Sequence, residues 1–139
     1  MSRSEVNKIY DAATALRVPG SAAVTTSAVI GTFALDKMVN VRPSSQRNKL
    51  GAEEYEIVVV VSAVDRTTGD EVYTFTAKTG PSGSPTVVVG TMAVNKTGQH
   101  ILCLDAHTIE RMDPAHAVLE LSLAVAGTTP VISFCAWIA

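Results

Sequence analysis

The stretch Tyr55-Glu56-Ile57-Val58-Val59-Val60-Val61-Ser62-Ala63-Val64 decides the fold class. In an extended chain successive side chains alternate between faces, so Tyr55, Ile57, Val59, Val61 and Ala63 share one face and Val58, Val60 and Val64 the other. A strand apolar on both faces lies centrally in a sheet or is covered on its second side. Asp65-Arg66-Thr67-Thr68-Gly69-Asp70 comes next as a loop, with glycine where a positive φ is needed. Residues 71–78 then return as a strand with Tyr73, Phe75 and Ala77 inward. So short a connection predicts that the two strands pair antiparallel as a hairpin.

Further strands lie on either side. Residues 27–35 read as a strand with Val29, Phe33 and Leu35 on one face. Residues 86–94 read as another, interrupted at Gly90, where a bulge or bend is expected. Asn95-Lys96-Thr97-Gly98 turns the chain into a strand over 99–105, and residues 107–112 fit one helical turn ended by Asp113-Pro114. The cleanest alternation is at 117–125, with Ala117, Leu119, Leu121, Leu123 and Val125 inward and Val118, Glu120, Ser122 and Ala124 outward. Residues 131–138 close the chain. The first eighteen residues fit a helical turn or two, stopped by Val18-Pro19-Gly20, which makes residues 1–20 an N-terminal arm.

Composition agrees with this pattern. The 139 residues include 19 Val, 15 Thr and 7 Ile against 8 Leu, a balance that favours strands. Apolar residues make up 47% and charged residues 17%, enough for one packed domain without a covalent staple. About eight strands separated by turn signals predict an all-β antiparallel sandwich or barrel in a single domain.

Charge and motif content argue against several classes of function. A net charge of −2 lacks the basic surplus on which affinity for nucleic acid rests. No apolar stretch approaches the ~20 residues of a membrane helix, and Met1-Ser2-Arg3-Ser4-Glu5 has no apolar signal core, so synthesis in a cytoplasm is expected. His100, His107 and His116 lie near Asp105, Glu110 and Asp113, but their spacings of seven and nine residues lack the two-apart pair that a metal site on one strand face uses. Cys103 and Cys135 lie in apolar runs and read as two reduced core thiols. Neither a nucleophile elbow nor a phosphate-cradling glycine loop occurs. The expectation is a protein that is not an enzyme and needs no cofactor or metal.

The most lopsided charge is in the long segment 37–54, where Lys37, Arg42, Arg47 and Lys49 occur with no acid before Glu53. This is a solvated loop or a docking loop that meets an acidic partner. The apolar second face of residues 55–64, together with Phe134-Cys135-Ala136-Trp137-Ile138-Ala139, exceeds what one small core needs. A second subunit would cover that surplus, as would the N-terminal segment.

The order of segments resembles the small jelly-roll cement, or decoration, proteins that bind the outside of tailed-bacteriophage capsids. The likeness lies in Ile9-Tyr10-Asp11-Ala12-Ala13-Thr14-Ala15 followed by Ser27-Ala28-Val29-Ile30. It continues in Tyr55-Glu56-Ile57-Val58-Val59-Val60-Val61 leading to Thr74-Phe75-Thr76-Ala77-Lys78-Thr79 and Gly83-Ser84-Pro85-Thr86. It ends in a closing hairpin from Leu119-Glu120-Leu121-Ser122-Leu123 to Val131-Ile132-Ser133-Phe134. The basic segment 37–49 is longer than the connection usual in that family. The resemblance implies a jelly roll with a short N-terminal arm, located on the capsid exterior after synthesis in a bacterial host. Its implied partners are the major capsid protein and further copies of itself, as a homodimer or homotrimer. Two other classes suit the same pattern: a tail, neck or fibre module of a virion, and a carbohydrate- or small-molecule-binding sandwich, for which exposure of Trp137 would be the sign.

Overall fold

The computed structural model describes residues 10–35, 54–81 and 83–139. The chain enters through a 3-10 turn, Ala12–Thr14, and continues as β1 (Ala15–Arg17), β2 (Ala28–Ala34), β3 (Glu54–Val64), β4 (Val72–Gly80), β5 (Val87–Val94) and β6 (Gly98–Asp105). A short helix α1 (Ala106–Met112) then precedes β7 (Val118–Ala126) and β8 (Ile132–Ile138). The strands form two four-stranded sheets, one in the order β1-β8-β3-β6 and the other β2-β7-β4-β5. Every neighbouring pair is antiparallel. This is the double-sheet jelly roll, in which two four-strand layers pack face to face around one core.

That topology corrects two sequence expectations. β3 and β4 do not pair: β3 lies between β8 and β6, and β4 lies in the other sheet between β7 and β5. β7 and β8 likewise belong to different sheets, so the segment expected as a closing hairpin is a crossover. Among the described strands only β4 and β5 are consecutive and hydrogen-bonded to each other. A loop of a few residues spans the ~10 Å between packed sheets as readily as it closes a hairpin, so loop length alone does not choose between them.

Alternation places most of the core where the patterns expect it, and two departures share a cause. Tyr55, Ile57, Val59 and Val61 on β3 are buried, as are Tyr73, Phe75 and Ala77 on β4 and Leu119, Leu121 and Leu123 on β7. Phe75 and Phe134 meet edge to face across the two sheets, their ring centroids 5.0 Å apart, a favoured aromatic geometry. On β3, however, the register shifts between Val61 and Ala63, so Ala63 faces solvent and Val64 packs on the core, the reverse of the expectation. On β2 a shift between Val29 and Gly31 turns Val29 outward, to 59% exposure. One extra residue inverts every later side chain on a strand. The third shift, opposite Ala77 and Lys78, falls at Val89 beside Gly90, the position marked for a bulge.

The N-terminal residues add a strand that the sequence pattern does not show. Ala15 and Arg17 pair with Trp137 and Ala136, and Leu16 enters the core. A three-residue strand is too short to show a period. Where β1 passes β2, a Cβ on Gly31 would stand 2.3 Å from the Leu16 carbonyl oxygen, so only glycine permits this approach.

At the end of the sandwich where β3 passes to β4 and β7 to β8, the buried Tyr73 hydroxyl joins both crossovers. It donates to the Asp65 carbonyl oxygen at 2.6 Å and accepts from the Val131 N–H at 3.0 Å. The Asp65 N–H in turn donates to the Val131 carbonyl oxygen at 2.8 Å. Tyr73→Phe leaves the two backbone groups without this partner, which costs about 1–3 kcal/mol. The expected outcome is a lower urea midpoint with an unchanged denaturant slope; an unchanged midpoint would contradict this role of the hydroxyl.

Candidate functional site

The residues singled out for chemistry do not converge. The His100 Nε2 lies 2.9 Å from the Lys96 carbonyl oxygen, and the His116 Nδ1 lies 2.7 Å from that of Asp113. Each ring nitrogen donates to its own neighbourhood. Among the described residues, no group of three or more His, Cys, Asp and Glu is placed to hold a metal ion. His107 sits in the first turn of α1, whose N-cap Asp105 accepts from the His107 N–H at 3.1 Å and the Thr108 hydroxyl at 3.0 Å.

The cysteines are not core thiols. Leu102 and Leu104 point inward from β6, so Cys103 points outward and is exposed. Phe134 and Ala136 point inward from β8, so Cys135 points outward and is half-buried. Both are free. Cys103 stands opposite Glu56 and Cys135 opposite Val60, on strands either side of β3 and four β3 residues apart, beyond the reach of a disulfide. Burial raises the Cys135 thiol pKa, which keeps it protonated and poorly nucleophilic.

A network of carboxylates and threonines occupies the Tyr73 end. Thr128 donates to Asp70 through its N–H (3.1 Å) and its hydroxyl (2.9 Å), and the Thr68 N–H donates to the buried Glu71 at 3.1 Å. The Thr68 hydroxyl lies between the Asp70 and Glu71 carboxylates. Gly127, at φ +102°, lets the β7–β8 loop pass against Asp70, where a Cβ would stand 2.5 Å from the Asp70 carbonyl oxygen. The donors converge on the carboxylates and tie the loops together, while the Glu71 Oε2 is buried without a hydrogen-bond partner. These hydrogen bonds hold the acids below the usual carboxylate range: Asp70 through Thr128, Glu71 through Thr68, Asp65 through Thr67 and Asp105 through Thr108.

The two outer faces of the sandwich differ. On the β1-β8-β3-β6 sheet, Val58 is wholly buried within the single chain, and Trp137 beside it is 2% exposed with Tyr10 edge-on at 5.5 Å. The chain's own N-terminal residues take part in the covering for which a second subunit was the other expectation. A shallow crevice remains there, lined by Pro19, Gly20, Ser21, Val60, Ser62 and Cys135 among others. Trp137 therefore presents no open stacking platform, and Tyr55, Tyr73, Phe75 and Phe134 are buried too.

The outer face of the β2-β7-β4-β5 sheet is open and made of short side chains. β4 contributes Val72, Thr74, Thr76 and Lys78; β7 contributes Glu120, Ser122 and Ala124; β5 contributes Val88, Thr91 and Ala93; β2 contributes Val29 and Thr32. Val29, Val72 and Val88 are 59%, 51% and 45% exposed. One base and one acid, Lys78 and Glu120, stand directly opposite each other in the register. A solvated sheet face normally alternates core residues with charged ones, so this face is suited to meeting another flat surface. Inward positions dominate the sequence pattern and hide this face; its signal is the outward parity of residues 72–76 and 122–124, which carries small uncharged residues.

The predicted docking residues Lys37, Arg42, Arg47 and Lys49 lie outside the described residues, as do residues 1–9. The points where that segment leaves and rejoins the sandwich are described. Leu35 donates from its N–H to the Ala117 carbonyl oxygen at 2.9 Å, and Glu54 stands opposite Asp105. Both points are at the end of the sandwich that carries α1. Neither a protein-family model, a curated protein nor a solved structure matches the chain.

Acid should weaken the fold through the carboxylate–threonine network. A carboxylate whose folded pKa is lowered contributes stability fully present above its ordinary range and lost as pH falls through that range toward the lowered value. Thr128→Ala is therefore expected to lower the urea midpoint at about pH 7 and to differ less from the parent near pH 3, where Asp70 is protonated in unfolded chains. An equal deficit at both pH values would contradict this account of Asp70.

Proposed function

We infer that the chain is a structural virion protein that binds the outer surface of a phage capsid shell and stabilises it as a cement protein. The strand order is the observation that carries this reading, because the double-sheet jelly roll is the architecture of viral capsid domains, lectins and cupins. A fold hosts many functions, so the surface has to choose among them. Aromatic side chains turned inward weigh against a lectin-like platform, and locally bonded histidines weigh against a cupin-like metal centre. A face of mostly short side chains with one base and one acid suits protein–protein contact.

The mechanism is mechanical. Packed DNA presses a shell apart where its subunits meet, and a protein bound across that seam adds binding free energy that must be lost before the subunits separate. Copies repeated by the symmetry of the shell turn modest contacts into large total avidity. In this reading Lys37, Arg42, Arg47 and Lys49 supply the basic charge that meets an acidic patch of the major capsid protein. No cofactor takes part.

Quantifying the chain against the major shell protein in purified virus-sized particles from its source culture tests the proposal. A copy number within a few-fold of the shell protein is expected; absence from the particles overturns the proposal. Reversing charge at Arg42 and Arg47 together should weaken binding to particles stripped of the chain, more at low salt than at about 150 mM, where the Debye length is near 8 Å.

A further inference from the structure

We propose that the outer face of the β2-β7-β4-β5 sheet is a self-association surface, on which a second copy of this chain packs face to face about a two-fold axis running along the seam between β4 and β7. The inference comes from the face itself and does not rest on the capsid reading. Along the seam Thr74 stands opposite Ala124, Thr76 opposite Ser122 and Lys78 opposite Glu120. A two-fold axis parallel to the strands at that seam places β4 of one copy over β7 of the other. Lys78 then lies across from Glu120 of the second copy, Thr76 from Ser122 and Thr74 from Ala124. The Lys78 and Glu120 pair of each copy is thus laid on the same pair of the other with opposite signs facing, and the rest of the contact is made by short side chains. Such an isologous contact, in which one patch meets itself, is the commonest form of a closed dimer.

Size and shape agree with this occupant. Short side chains along the seam let two sheets approach to the ~10 Å of sheet-on-sheet packing. Four strands about 4.8 Å apart, with outward rows about 6.8 Å apart, make a face of roughly 500 Å² in flat projection. Two copies would bury about 1,000 Å² together, the lower limit for a specific interface. An interface at that limit is a weak, transient one that separates on dilution.

Sedimentation velocity on the full chain, across a dilution series from about 1 to 200 µM, tests this directly. The parent should show a reversible monomer–dimer equilibrium. Lys78→Glu puts acid against acid across the axis, and Glu120→Lys puts base against base, so each should weaken self-association at least about tenfold. Mixing the two variants in equal amounts should restore a dimer, because each then meets opposite charge on the other. Restoration on mixing cannot come from a change within one chain. A parent that stays monomeric at 200 µM, or a dimer insensitive to both variants, overturns the proposal. If either charge variant fails to fold, Thr76→Arg, which adds bulk at the centre of the face, should abolish the dimer; a persisting dimer then overturns the proposal. Dimerisation without binding to particles would sink the capsid reading and leave this one standing, and particle binding by a strict monomer would do the reverse.

Discussion

In this sandwich every pair of consecutive strands except β4 and β5 lies in different sheets, and every passage between sheets takes backbone out of a ladder. The rest of this structure depends on how those passages are satisfied. At one end the Tyr73 hydroxyl, the Asp65–Val131 backbone bond and the Thr68, Asp70 and Thr128 cluster supply partners for the two crossovers that leave β3 and β7. At the other end Ala117 accepts from Leu35 and donates to Gly80. With the crossovers held, β3 sits between β8 and β6, apolar on both faces.

The same constraint separates the legible part of the sequence from the silent part. Strand existence was legible because alternation in 55–64, 71–78 and 117–125 needs no knowledge of partners. Partner choice was not, because Asp65-Arg66-Thr67-Thr68-Gly69-Asp70 suits a hairpin and a crossover alike, and only the long-range bonds from Tyr73 distinguish them. Bulges were silent as well: nothing in Ser62 or Ile30 announces an extra residue, yet each reverses the facing of the later residues on its strand. Apolar neighbours alone do not place the cysteines; parity does, since Leu102 and Leu104 face the core and oblige Cys103 to face outward.

The candidate surface was half legible. The basic segment is evident in the sequence because it carries four bases without an acid, although its residues lie outside those described. The sparsely charged outer face assembles from β2, β4, β5 and β7, which are brought side by side only by the jelly-roll order. No single strand displays it, and only the register places Lys78 against Glu120. The apolar face of β3 shows the opposite case: surplus apolar residues invited a second subunit, while the chain's own Tyr10 already packs against the Trp137 ring beside it.

A structural role on a shell requires a fixed place on that shell. Electron cryomicroscopy of intact particles is the most direct measurement of it. The account predicts two-layered jelly-roll density on the outside of the shell, repeated with its symmetry and spanning contacts between shell subunits. Density confined to the tail or the particle interior, or a shell surface without this domain, would contradict it.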